Sequence, residues 1–289
     1  MSPAVRNLGI FAVALMALFG LAVVAGRLLD PHAPDGEAAA DHSNRHPKEM
    51  EDMTSEHVRG LAVAENGLRL VIEDPEVRRG AAGELRFRIV DREGRAVRDF
   101  DVEHTKRMHV IVVRRDLTEF QHLHAAMGPD GTWSTPLRLP DGGSYRVFAD
   151  FSHEGRPTTL AGDLRVDGAV NLQALPAPQP VATSDGGYHV RLAAGAARPG
   201  RETTLRFTVT RGGRPVDVEP YLGAGGHLVA LREGDLAFLH IHPVEQANGD
   251  SIAFAATFPT EGKYRLFLQF RVAGRVQTAA FTQEALGGR

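Results

Sequence analysis

Two stretches of this chain are copies of one another, offset by about 120 residues, and a copy of that length is a whole domain rather than one unit of a solenoid. L-A-V-A-E-N-G-L-R-L-V-I at 61–72 answers V-A-T-S-D-G-G-Y-H-V-R-L at 181–192, and G-E-L-R-F-R-I-V-D-R-E-G-R-A-V at 83–97 answers E-T-T-L-R-F-T-V-T-R-G-G-R-P-V at 202–216. Y-R-V-F-A-D-F at 145–151 answers Y-R-L-F-L-Q-F at 264–270. Within each copy L-R-F-R-I-V and L-R-F-T-V-T alternate as half-buried strands do. Turn pairs recur at Glu93-Gly94, Asp130-Gly131, Asp141-Gly142-Gly143, Gly212-Gly213 and Glu261-Gly262. About seven short strands per copy, with no amphipathic helix between them, predict two tandem immunoglobulin-like β-sandwich domains, an all-β class.

The copies share more than strand rhythm. His109, His122 and His124 in the first recur as His227, His240 and His242 in the second, the second histidine thirteen positions after the first and the third two positions after the second. The second His lies in a short apolar segment both times, F-Q-H-L-H and F-L-H-I-H. Reading the second set as a hairpin with a two-residue turn at Glu233-Gly234 sets Arg232 opposite Asp235 and His227 opposite His240. The same geometry sets His109 opposite His122. Opposed residues share a face with Cβ atoms about 4.5–5.5 Å apart, and His124 and His242, two positions on, share it too. One three-imidazole metal site per domain is therefore expected, on which metal–nitrogen bonds of about 2.0–2.1 Å close without straining the sheet.

Three neutral imidazoles suit Zn or Cu ions, and copper is ranked above zinc because methionines accompany the first set. Accessory ligands are sought in Met127, His104 and His153 in the first copy and Glu245 in the second. Met108, adjacent in strand to His109, is expected to point the other way. Trp133 and the recurring aromatic pairs Phe120/Phe238, Tyr145/Tyr264 and Phe148/Phe267 are expected in the core. Asp150, replaced by Gln269 in the second copy, is not expected to be an obligatory ligand.

The remainder sets the surroundings. Leu8 to Gly26 is free of charge and matches the roughly 20 residues that span a bilayer core. It reads as an uncleaved signal anchor within residues 1–28, with a cleaved signal peptide as the alternative. Residues 29–56 read as a flexible, acidic tether, whose His32, His42, His46, Met50 and Met53 are taken as incidental. The sandwich repeats are placed at 57–168 and 181–284, joined by a stiff Pro-rich linker at 169–180. With no cysteine, disulfides and thiolate metal sites are excluded, and a net charge of −3 gives no nucleic-acid footprint. The location implied is the cell membrane, single-pass, with both domains on the extracytoplasmic side.

The motifs P-G-R-E-T-T-L-R-F-T-V-T-R-G-G-R-P-V at 199–216, its partner at 79–97 and H-L-V-A-L-R-E-G-D-L-A-F-L-H-I-H-P at 227–243 resemble the YtkA-like and CopC-like groups of exported, heavy-metal-binding β-sandwich proteins. The resemblance spans residues 60–283. It implies the fold and the exported setting but not the CopC-type site, which uses a mature N-terminal amine. The function expected is a membrane-tethered transition-metal carrier or buffer, not an enzyme. Its partners would be the membrane, through the N-terminal helix, and a metal transporter or metal acceptor protein. The alternatives are a structural or adhesive tandem module without metal and, more remotely, a metalloenzyme built on a His-x-His pair.

Overall fold

A computed structural model describes residues 58–244 and 251–287, apart from the side chains of His240 and His242. The expected membrane anchor and tether lie outside these residues, and no helix among the described residues is long and apolar enough to cross a membrane. Every regular element described is a strand.

The first repeat holds β1 (Ala64–Glu65), β2 (Leu68–Ile72), β3 (Glu76–Val77), β4 (Gly83–Val90), β5 (His109–Arg114), β6 (Gln121–Leu123), β7 (Ala126–Met127), β8 (Trp133–Leu137), β9 (Gly143–His153) and β10 (Arg156–Val166). These form two sheets, ordered β1-β2-β4-β8-β7 and β3-β10-β9-β5-β6. The second repeat holds β11 (Val181–Thr183), β12 (His189–Ala194), β13 (Glu202–Arg211), β14 (Arg214–Pro215), β15 (His227–Arg232), β16 (Phe238–His240), β17 (His242–Pro243), β18 (Ser251–Thr257), β19 (Gly262–Val272) and β20 (Arg275–Ala285). Its sheets run β11-β12-β13-β18-β17, with β14 beside β13, and β16-β15-β19-β20. In each repeat inward residues of both sheets meet in one core. Leu85, Phe87, Ile89 and Trp133 face Val110, Val112, Tyr145 and Val147 in the first, and Leu205, Phe207 and Phe254 face Leu228, Ala230, Tyr264 and Leu266 in the second.

The strand that carries His109 departs from half-buried alternation. All six residues of β5, H-V-I-V-V-R, are buried. Val110 and Val112 face the core of their own sandwich, while Ile111 and Val113 face a third apolar cluster with Leu117, Phe148, Val229, Leu231, Leu236, Phe238 and Phe267. That cluster joins the outer face of the β5/β9/β10 sheet to the outer face of the β15/β16/β19 sheet, and both repeats belong to one compact unit, Met53–Arg289. A strand buried on both faces is an unbroken apolar run rather than an alternating one.

The aromatics cross-pair at this seam. Phe120 of the first repeat stacks on Phe267 of the second with ring centres 4.0 Å apart, and Phe148 meets Phe238 at 5.4 Å. Of the recurring aromatic pairs only Tyr145 and Tyr264 belong to the inner cores; the four phenylalanines fill the seam instead. The linker joins in: Leu175 packs against the seam, Arg114 donates to the Asn171 carbonyl and the Gln173 N–H donates to Asp116. At the opposite end of the first repeat, Gly60 (φ +74°) lies where a Cβ would come within 2.7 Å of Phe238 and 2.8 Å of Phe148, so only glycine fits there.

Truncating one side of the seam should be felt on the other. Phe267→Ala, in the second repeat, is expected to cost about 3–5 kcal/mol. Urea unfolding followed by Trp133 fluorescence reports the first repeat, because Trp133 is the sole tryptophan and lies in that core. A shifted Trp133 transition is the expected result; an unmoved one would mean that the repeats unfold independently.

Candidate metal centre

The hairpins that carry the histidines are longer than a two-residue turn allows. His122 pairs with Ile111, not His109, and His240 pairs with Val229, not His227. Both ladders are therefore displaced by two residues from the expected register. The cause is in the loops. Asp116 accepts the Thr118 N–H and Asp235 accepts the Ala237 N–H, each closing a local turn on a residue two positions ahead. Each carboxylate also holds the arginine that ends the preceding strand, Arg114 or Arg232. Leu117 and Leu236 then take left-handed φ values of +65° and +63° and bury their side chains in the seam. A slip of two residues, unlike a slip of one, leaves every side chain on its original face. The histidines of β5 and β6 thus still share a face, the one that the second repeat covers.

Their rings are grouped accordingly. His109, His122 and His124 of the first repeat gather with His227 of the second, so the grouping crosses the seam instead of staying within one repeat. Ring centres stand 5.3 Å apart for His109–His122 and for His109–His124, and 4.8 Å for His122–His124. His227 lies 5.6 Å from His109 and 4.6 Å from His122. One nitrogen from each of His109, His122 and His227 falls within 4.8 Å of the others. His104, in a tight turn with φ +48°, flanks the group at 6.2 Å from His109 and 6.1 Å from His227. The side chains of His240 and His242, and Glu245, lie outside the described residues.

Two expected accessories are elsewhere. Met127 packs against the core of the first sandwich, and His153 pairs through Nδ1 with the Asp99 carbonyl at 2.7 Å and rests near Phe100. Met108 is buried in the same core, on the opposite side of its strand from His109.

The hydrogen bonds fix the tautomers. His122 Nδ1 lies 2.6 Å from Gln269 Oε1, a carbonyl oxygen that only accepts, so Nδ1 carries the proton and Nε2 the lone pair. His109 Nε2 lies 3.2 Å from the Glu103 carbonyl oxygen, so in the neutral ring its Nδ1 carries the lone pair. These two lone-pair nitrogens face each other at 3.1 Å. Two ligand atoms bound to one ion at about 2.0–2.1 Å and separated by that distance subtend roughly 100°, close to a tetrahedral angle. Gln269 is the residue opposite His227 in the β15/β19 ladder, as Asp150 is opposite His109 in the β5/β9 ladder. Each leans on a threonine of the next strand: Thr159 donates to Asp150, and Gln269 donates to Thr278. Gln269 enters the sequence reading only as the replacement for Asp150, and neither its bond to His122 nor the Glu103 carbonyl was expected. The available signal was the unbroken apolar character of H-V-I-V-V, F-A-D-F and H-L-V-A-L, which marks strands covered on both sides.

The electrostatics keep His122 and His124 neutral. Burial, then the neighbouring His109 and His124, push His122 down to about 3, against a partial pull upward from Gln269 and Asp150. Burial, then His109 and Lys106, push His124 down to about 4. Neutral imidazole is the ligating form.

A family model described as a domain of unknown function, DUF8832, matches residues 62–168 and again 182–287. The chain belongs to the DUF8832 family. The matching model is neither of the copper-handling groups that the sequence motifs resemble. No curated protein matches the sequence. Among solved structures, this DUF8832 chain is similar to a Salmonella alpha-2-macroglobulin reacted with methylamine, at 15% identity and TM-score 0.28, over 81% of this chain and 15% of that one. It is similar to the Escherichia coli adhesin FdeC at 16% identity and TM-score 0.27, over 79% of this chain and 66% of that one. Invasin, a bacterial integrin-binding protein, aligns at 13% identity and TM-score 0.23, over 76% of this chain and 39% of that one. The DUF8832 chain thus spans a minority of the macroglobulin and about two thirds of the adhesin, and TM-scores of this size carry no argument for a shared activity.

The depressed His122 and His124 values give a pH dependence whose sign is determined. Both groups bind protons more readily in the unfolded chain, where they titrate near 6.5, than in the folded one. Stability rises with pH wherever the unfolded state holds more protons. The contribution of these rings is therefore complete above about pH 6.5 and is lost as pH falls toward 4 and 3. In chelator, the urea midpoint should hold above about pH 6.5 and fall from there to about pH 4.5, and His122→Gln should flatten that fall. A midpoint indifferent to pH over this range would contradict the burial of these rings in the neutral state.

Proposed function

We propose that this protein is a transition-metal-binding protein of the extracytoplasmic side, tethered to the membrane by residues 8–26. In this reading it is a carrier or buffer for copper or zinc whose centre is shared by its two immunoglobulin-like repeats. The observation that supports this is the pair of lone-pair nitrogens, His109 Nδ1 and His122 Nε2, facing each other at 3.1 Å with the opposite nitrogen of each ring at a carbonyl oxygen. Two acceptors at that distance repel unless a cation lies between them. A proton is disfavoured there by burial among other rings, whereas an ion bound by neutral imidazoles answers the geometry. His227 supplies the third nitrogen from the second repeat. Gln269 acts in the way that outer partners of metal-bound histidines do, by holding the ring and its tautomer.

A second reading, a structural or adhesive tandem module without metal, has its own support. The same hydrogen bonds to Glu103 and Gln269 also satisfy buried rings in a protein that binds no ion. In that case the histidines serve the seam and the working surface lies elsewhere.

Calorimetric titration of the full chain with Zn(II) and Cu(II) separates the two. The expected result is micromolar or tighter uptake of one ion at the seam, weakened at least about tenfold by His122→Ala or His227→Ala, since loss of even an outer partner typically costs 10–100-fold. The absence of uptake in the wild-type chain, or uptake unchanged when His109, His122 and His227 are all alanine, would leave the module reading standing.

A further inference from the structure

We infer that His124 completes the centre as a fourth imidazole ligand, so that four nitrogens from the described residues enclose the ion and leave no position among them for water or substrate. This rests on the metal-binding reading above and goes beyond it by assigning the coordination number and hence the kind of task the ion performs.

Three observations carry it. His124 Nε2 is sealed from solvent and has no hydrogen-bond partner among the described residues. A buried nitrogen left in that state costs free energy unless something satisfies it, and such orphans in native structures call for an unseen partner such as an ion. Second, the His124 ring stands at the distance from His109 and His122 that a shared ion requires. Four imidazoles bound tetrahedrally at about 2.0–2.1 Å place their ring centres about 5 Å apart. The His124 ring stands 4.8 Å from His122 and 5.3 Å from His109, while the nitrogens already within 4.8 Å of one another are those of His109, His122 and His227, so His124 joins them by turning its ring toward the ion. His104, beyond 6 Å from both neighbours, falls outside this circle. Third, the chain places His124 where it can serve. It follows the last residue of β6 and precedes β7, at the crossing from one sheet of the sandwich to the other. An unpaired stretch of this kind is free of the ladder geometry that fixes His109 and His122, so its ring adjusts to an ion without breaking a strand.

The chemistry follows from the count. Sites with four protein ligands are closed and serve binding or structure, whereas catalytic centres keep one position open for water or substrate. An all-imidazole set of four neutral donors suits a borderline divalent ion, Zn(II) or Cu(II), and offers nothing to a hard oxygen-seeking ion. The centre is thus suited to holding an ion rather than to hydrolysis or oxygen activation.

The test uses Co(II) as a probe in the full chain. The wild type should give the intense visible bands of a tetrahedral Co(II) centre, unchanged when azide is added. His124→Ala should bind Co(II) at least about tenfold more weakly, should respond to azide, and should regain the wild-type spectrum when free imidazole is supplied. His124→Gln serves as the second variant, with the Trp133 unfolding transition confirming that both variants are folded. If the wild type binds Co(II) but takes azide directly, or if both variants match it in affinity and spectrum, His124 is not a ligand while the three-histidine centre stands. If the wild type binds none of Co(II), Zn(II) and Cu(II), the metal-binding reading itself is overturned, and this inference with it.

Discussion

The docking of two outer sheet faces against each other governs this molecule. A β-sandwich normally leaves the outside of each sheet to water, which is why its strands alternate. Here Ile111, Val113, Phe148, Val229, Leu231 and Phe267 make one outer face of each repeat apolar, and neither face is tolerable alone. Covering them turns two sandwiches into a stack of four sheets with three apolar layers. The cross-pairing of Phe120 with Phe267 and of Phe148 with Phe238 shows that the same patch is used on both partners. That is the isologous arrangement of a symmetric dimer, built here within one chain. The linker and the segment around Gly60 are fitted to that arrangement.

The histidines inherit their environment from this docking. On an isolated repeat, His109 and His122 would lie on a sheet surface in water, hydrated and easily protonated. Closing the seam removes that water, and burial lowers the affinity of His122 and His124 for protons while His227 comes against His122. The duplication therefore matters in a way that copying alone does not explain. Equivalent residues near the pseudo-twofold relation meet each other, and His109 and His227, which are equivalents, stack with their planes 9° apart. A residue type placed once in the ancestral repeat appears twice in the same small volume, and a cluster forms from few sequence positions.

Much of this was legible in the sequence, and the exceptions have physical causes. The repeat, the all-β class and the common face of His109 and His122 follow from alternation, turn pairs and parity. The register did not follow, because Leu117 and Leu236 occupy left-handed backbone positions normally left to glycine or asparagine. Only the burial of their side chains in the seam sustains that strain, and the seam is a tertiary feature. For the same reason Phe148 and Phe238 read as core aromatics. They are buried, but between the domains. The run H-V-I-V-V did announce a second covered face; what it did not identify was the cover. The grouping of His227 with the first repeat's rings depends on that cover and so was out of reach of any argument made within one repeat.

One pair of residues that differs between the halves of the seam stands beside the cluster. Asp150 and Gln269 occupy equivalent ladder positions, each opposite a histidine and each joined to a threonine on the next strand. Two aspartates at these positions would bury two negative charges beside the rings, and like charges at short range in a dry seam oppose each other strongly. Two glutamines would leave no negative charge to offset a divalent ion. One of each gives a single buried carboxylate, which favours a cation, and a single amide, whose oxygen fixes the tautomer of His122 without adding charge. Under the metal-binding proposal, the replacement of Asp by Gln is the change that would let a duplicated strand pair serve one shared centre.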